Sequence, residues 1–107
     1  MGFILWYIRK HVLYLTHRQV GEKLGGLAHT AVGKYELGKT KTTFEYMEKF
    51  CSTFNIEVQR ILDLYLICRC YEVQTSKDTL DVMVSGARLN FLRIINLIIE
   101  EVKEASQ

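Results

Sequence analysis

The sequence predicts an all-α fold, and three observations carry that prediction. None of the 107 residues is proline and only seven are glycine, so little interrupts a helix. Apolar residues recur three and four apart along most of the chain. Side chains that start helices and glycines that stop them stand at the ends of those apolar runs. The expected organisation is a five-helix domain over residues 1–66 followed by a helical region over residues 67–107. Hydrophobic residues make up 49% of the chain, ample for one core, although a chain this short closes a core with a small margin.

Ile4, Leu5, Ile8 and Val12 share one face and predict a first helix over residues 3–13. Thr16 opens the second. Gln19, three residues on, completes a capping box: the threonine hydroxyl accepts from the Gln19 amide and the Gln19 side chain reaches back. Leu15 and Val20 flank that cap as a hydrophobic staple. Val20 and Leu24 face inward, and Gly25-Gly26 ends the helix in a turn. A third helix follows over residues 28–35, with Leu27 and Val32 turned inward and Gly38 placed as a left-handed stop. Lys39 to Thr43 is a polar loop. Phe44, Met47, Phe50 and Cys51 define a fourth helix over residues 43–54. Asn55 is a turn residue, and Ile56, Ile61 and Leu62 belong to a fifth helix over residues 57–66.

Ile67 to Val73 alternates in part and fits either a strand or a continuing helix. Thr75 and Ser76 mark a break, and Asp78 to Val84 reads as a short helix. Leu89 to Ala105 is the last helix. Phe91, Leu92, Ile94, Ile95, Ile98, Ile99 and Val102 occupy a face roughly 160° wide, and Leu97 alone breaks the pattern by standing among polar residues. That face is broader than packing on one neighbour requires. The expectation is a homodimer interface formed by Phe91, Leu92, Ile95, Ile98, Ile99 and Val102.

Charge is unevenly spread. Residues 1–62 carry nine basic and five acidic residues, whereas residues 63–107 carry five and seven. A basic first part points to a polyanion as partner. Three cysteines are an odd number and cannot form a complete internal disulfide framework. The apolar runs Phe3 to Ile8 and Phe91 to Ile99 fall short of the about 20 residues that span a bilayer. The chain reads as soluble, cytoplasmic and nucleoid-associated, with no membrane contact.

Two short helices joined by a glycine turn inside a helical core have the geometry of a helix-turn-helix, whose second helix lies in the major groove of DNA. The residues meet the physical demands of that role. Gly25-Gly26 permits a tight turn, and Val20, Leu24, Leu27 and Val32 supply the inner face. His29, Thr30, Gly33 and Lys34 leave the outer face of the third helix free of bulky apolar groups and able to hydrogen-bond. The run Leu15-Thr16-His17-Arg18-Gln19-Val20-Gly21-Glu22-Lys23-Leu24-Gly25, followed by Val32-Gly33-Lys34-Tyr35-Glu36-Leu37-Gly38, resembles the lambdoid-repressor-like helix-turn-helix family of phage repressor, Cro and XRE type. Phe44, Met47, Phe50, Cys51, Phe54 and Ile56 fall on its later apolar positions, so the resemblance covers about residues 4–62. It implies a five-helix lambda-repressor-like domain with a helical C-terminal extension. The chain departs from the family at four places. One extra residue separates Thr16 from Val32; His17 replaces a glutamine; Ala28 stands where serine or threonine normally caps; and Thr42 replaces a proline.

The resemblance also implies roles. Base contacts come from His29, Thr30 and Lys34, with Ala28 and Gly33 close to the groove. Phosphate contacts come from His17, Lys39, Thr40 and Lys41. Glu36 pairs with Lys10 of the first helix and braces the two elements, a role in which the family often uses arginine. The partner is double-stranded DNA, bound by a homodimer on a pseudo-palindrome, and the function is transcriptional regulation, more specifically repression.

Other readings of single residues are blander. Lys39 and Lys41 suit a solvated loop, and His17 and His29 lack zinc-site spacing. Cys68-x-Cys70 has no second pair to complete a metal site, and Cys51, Phe50 and Phe54 are core residues. Trp6 and Tyr7 are expected to pack on the C-terminal part or on a partner. No cofactor motif, nucleophile elbow or phosphate-binding loop is present, which argues against an enzyme. Two further functions fit the same residues: an antitoxin that represses its own operon and offers its last helix to a toxin, and a protein-interaction module that no longer binds DNA.

Overall fold

A computed structural model describes residues 1–70 and 85–105. All its elements are helices: α1 (Gly2–Tyr7) running directly into a π-helical segment (Ile8–Leu13), then α2 (His17–Lys23), α3 (His29–Glu36), α4 (Phe44–Phe54), α5 (Val58–Cys70) and α6 (Ser85–Ala105). No helix among the described residues is long and apolar enough to cross a membrane.

The first helix spans the expected residues, but its second half is wound as a π-helix. It stops at Tyr14, which takes a left-handed conformation (φ 55°) without being glycine. The amides of Tyr14 and Leu15 both donate to the Arg9 carbonyl. Ile8 and Arg9, four residues after Ile4 and Leu5, lie on the buried side, while Lys10 points outward.

The start of α2 is as expected. The Thr16 hydroxyl accepts from the Gln19 amide at 3.1 Å, and the Gln19 side chain accepts from the Thr16 amide at 2.8 Å. Thr43 caps α4 by accepting from the Tyr46 amide, and Asn55 ends α4 in the left-handed region. The spacing of apolar residues places Met47, Phe50, Cys51 and Phe54 of α4 inside, whereas Phe44, expected on the same face, is 59% exposed at the first turn. Helix α5 runs on to Cys70, so residues 67–70 continue the helix and the expected boundary at 66/67 falls within it. The short helix expected over residues 78–84 lies outside the described residues.

One continuous core includes residues of every element: Phe3, Ile4 and Leu5 of α1, Ile8, Val20 and Leu24, Val32, the inner face of α4, Ile61 and Leu64 of α5, and Phe91, Ile94, Ile95 and Ile98 of α6. The apolar face of α6 is therefore taken up within its own chain. Phe91 is fully buried, with the Tyr7 ring edge-on at 5.3 Å and the Phe3 ring at 6.0 Å. Tyr7 thus packs on the C-terminal helix as the sequence suggested. Of the residues expected at a dimer interface, Phe91, Ile95 and Ile98 are buried within their own chain, and Leu92, Ile99 and Val102 pack partly buried against the same core. The breadth of the face reflects two neighbours, since α6 contacts both α5 and the π segment. Leu97 is exposed, in keeping with its place among polar residues.

The far end of α6 is fastened by polar contacts. Glu101 accepts from the Arg60 guanidinium at 2.7 Å and from the Glu57 amide at 2.9 Å, while the Asn55 side chain donates to the Glu101 carbonyl at 2.9 Å. These contacts tie α6 to the junction of α4 and α5.

Candidate nucleic-acid interface

The interface is built on α2 and α3, and its geometry begins at the turn between them. Both helices end in the same hydrogen-bonded motif. After α2, the Gly25 amide donates to Glu22 and the Gly26 amide to Gly21; after α3, the Gly38 amide donates to Tyr35 and the Lys39 amide to Lys34. Each pair is a Schellman cap, which closes on a left-handed residue that glycine adopts without steric cost. Gly25, Gly26 and Gly38 all have positive φ, at 87°, 90° and 75°.

The α2–α3 turn depends on a further glycine. The Leu27 carbonyl folds back so far that a Cβ on Gly21 would lie 2.1 Å from its oxygen. A side chain at position 21 is incompatible with this turn. Gly2 plays the corresponding part at the other end of α3, where a Cβ would lie 2.3 Å from the Glu36 carbonyl oxygen. The backbones of α1 and α3 therefore meet with no side chain between them.

Helix α3 starts at Ala28, which offers no side-chain cap. The missing bond forgoes about 1 kcal/mol. Val32 is buried and Leu27 packs against the core, so the outer surface belongs to His29, Thr30 and Lys34, all exposed, with Gly33 half-buried among them. The loop after α3 is held close to this surface. The Lys34 carbonyl accepts from both the Lys39 and the Thr40 amides, at 3.0 and 3.2 Å. Lys39 and Lys41 are exposed and Thr40 half-buried. His17 stands beside α3, its ring 3.8 Å from where a Cβ on Gly33 would lie.

Glu36 braces these parts, but its partner is Arg9 and not Lys10. The Arg9 guanidinium grips both carboxylate oxygens, at 2.6 and 3.1 Å, and also donates to the Leu15 carbonyl at 2.9 Å. Lys10 is exposed and sits with its ammonium 6.0 Å from the centre of the Trp6 ring. The planar fork of an arginine matches a carboxylate in a way that a lysine ammonium does not, and that chemistry was a usable signal in the sequence. His17 is the second partner, its Nε2 2.9 Å from Glu36 Oε1. Nothing in the spacing of residues 17 and 36 announced this contact.

Tyr35 and Tyr46 stack at 3.8 Å and join the end of α3 to α4. Burial, with Glu36 and Tyr35 nearby, pushes the Tyr46 hydroxyl up to about 12. Burial likewise pushes the thiols of Cys51 and Cys68 up to about 11, so neither is a thiolate at neutral pH.

A family model described as helix-turn-helix matches residues 8–61, just over half of the chain. No curated protein and no solved structure matches. The match covers the whole of the π segment and α2 to α4, the elements that hold the surface described above.

Proposed function

Because the chain belongs to the helix-turn-helix family of phage-repressor type, and so is of a DNA-binding class, we propose that it is a sequence-specific transcriptional repressor acting as a homodimer on a pseudo-palindromic operator. The observation that carries the reading is the outward face of α3, where His29, Thr30 and Lys34 stand exposed around a glycine with no side chain to hold a base pair away. In this reading α3 enters the major groove. Thr30 donates to or accepts from a base edge, Lys34 donates to guanine acceptors, and His29 and Gly33 lie against the groove. Lys39, Thr40 and Lys41 meet backbone phosphates on one side and His17 on the other. Phosphate contacts set register and affinity, and base contacts set sequence preference.

One helix-turn-helix of this size provides few base contacts, and discrimination from bulk DNA needs roughly 4–10 kcal/mol. Two copies related by a two-fold axis, with recognition helices about 34 Å apart, double the contacts. Of the expected dimer face, Leu92 and Ile99 are part-exposed and remain able to reach a second copy. Repression then follows from occupancy of a promoter.

The test is selection from a random duplex pool with sedimentation of the protein in parallel. A palindrome with half-sites one helical turn apart and a dimer in solution are the expected results. Absence of enrichment at low salt would leave the interaction-module reading, which the scarcity of side chains at Ala28 and Gly33 favours.

A further inference from the structure

We propose that a second copy of this chain docks into the groove between α5 and α6, with Asp63 of each copy meeting the partner's Arg93. The inference rests on the homodimer reading and assigns that dimer a surface. Its starting point is Leu97, which interrupts the polar side of α6 and stays exposed. Leu66 of α5 is 56% exposed. Both leucines line one groove of about 610 Å³, together with Ile67 and Ile94. Asp63 stands on its α5 wall and Arg93 on its α6 wall. Large apolar side chains left in water around one groove are stabilised by any partner that covers them.

The charges identify that partner. Arg93 is exposed, and its guanidinium has neither an ion pair nor a hydrogen bond among the described residues. Asp63 accepts from the Gln59 side chain at 2.8 Å but forms no ion pair among the described residues. Arg60, the other cation on the groove, is already held by Glu101 at 2.7 Å and by Glu57 at 3.5 Å. A groove with one acidic and one basic wall is complementary to itself. A two-fold axis along it lays α5 of each copy against α6 of the other, and every contact then occurs twice. Each Asp63 faces the partner's Arg93, and each Leu97 packs toward the other copy's α5. A partner of uniform charge would leave one wall unmatched. Leu92 and Ile99 lie roughly 140–160° around α6 from Leu97, so the groove is a separate surface from the face that the apolar pattern suggested. Helix α3 packs on α1 and α2, whereas the groove belongs to α5 and α6, so pairing there leaves the recognition surface open to DNA.

The test is sedimentation equilibrium of the full chain, with circular dichroism to follow helix content. The unaltered protein should be a dimer. Asp63→Arg alone sets two cations against each other across the interface, and Arg93→Asp alone sets two anions. Each clash occurs twice, so the dissociation constant of either variant should rise at least about tenfold. Mixed in equal amounts, the two variants should form a one-to-one dimer, since both contacts are then of opposite sign. The double variant Asp63→Arg with Arg93→Asp has the net charge of the unaltered protein and should dimerise with itself. Leu97→Glu, at an exposed position, should dissociate the dimer with helix content unchanged. A dimer that persists in Leu97→Glu and in both charge reversals overturns the inference and leaves the dimer to the Leu92 and Ile99 side. Single variants that stay apart when mixed overturn it as well. An unaltered protein that sediments as a monomer overturns both the groove and the dimer reading, and leaves the groove to a different chain.

Discussion

Replacing Arg9 by methionine should strand a buried charge. The Glu36 side chain is 6% exposed and takes two of its three hydrogen bonds from the Arg9 guanidinium. Methionine keeps most of the apolar stem and removes the fork, leaving the carboxylate with His17 alone. Breaking a buried pair from one side costs about 3–5 kcal/mol. The Leu15 carbonyl, which accepts from Arg9 at 2.9 Å, loses its donor as well. That loss adds about 1 kcal/mol. Small domains are stable by about 5–15 kcal/mol in total. At roughly 4–8 °C per kcal/mol the melting midpoint should fall by at least about 15 °C. The assay is urea unfolding followed by far-UV circular dichroism, on the unaltered protein, Arg9→Met, Glu36→Leu and the double variant. The double variant removes both charges and should recover most of the loss, since an apolar replacement of a whole buried pair is often neutral. A loss below about 1 kcal/mol for Arg9→Met, or a double variant no more stable than the single ones, would refute the claim that this pair braces the π segment against α3. Lys10→Met serves as the control and should stay within about 0.5 kcal/mol.

Three other changes test separate parts of the molecule. Gly21→Ala drives a Cβ to 2.1 Å from the Leu27 carbonyl oxygen, so the α2–α3 turn must move; a loss of about 1–3 kcal/mol in the same unfolding assay is expected, with weakened DNA binding beside it. Tyr14→Gly relieves a left-handed residue, exposed and without a ring contact among the described residues, and should raise stability by about 0.5–1 kcal/mol after the added chain entropy of glycine. Lys34→Ala should lose about 1–3 kcal/mol of discrimination at one base pair, whereas Lys41→Ala should weaken binding evenly across sequences and make the salt dependence shallower. Identical behaviour of the two lysine variants across a panel of duplexes would reverse the assignment of base and phosphate readers.

Much of the interface was legible in the sequence because it is built from short-range hydrogen bonds. The Thr16–Gln19 box, the uncapped Ala28 and the left-handed Gly38 concern residues within a few positions of one another, and each stands as the residue types demanded. The outward position of His29, Thr30 and Lys34 followed from Val32 facing inward. The partner of Glu36 was read one residue away from its place. Arg9 follows Leu5 by four residues and so lies at the edge of the buried face, whereas Lys10 falls on the opposite side, and the salt bridge follows that placement. Phe44 was misplaced because an apolar residue in the first turn of a helix lies at the edge of the face it shares, where the core need not reach it.

The sequence alone determined the helical class, the positions of the caps and stops, and the helix whose outer surface is free, since these depend on backbone sterics and on hydrogen bonds between near neighbours. Only the tertiary structure decided where the face of α6 is buried, which cation holds Glu36, why position 21 admits no side chain and which nitrogen of His17 points outward. Each of those depends on atoms brought together from distant parts of the chain. An apolar face looks the same in a sequence whether its own core or a second copy covers it; packing distinguishes them, because Phe91 can be enclosed by Phe3 and Tyr7 only once the first and last helices have met.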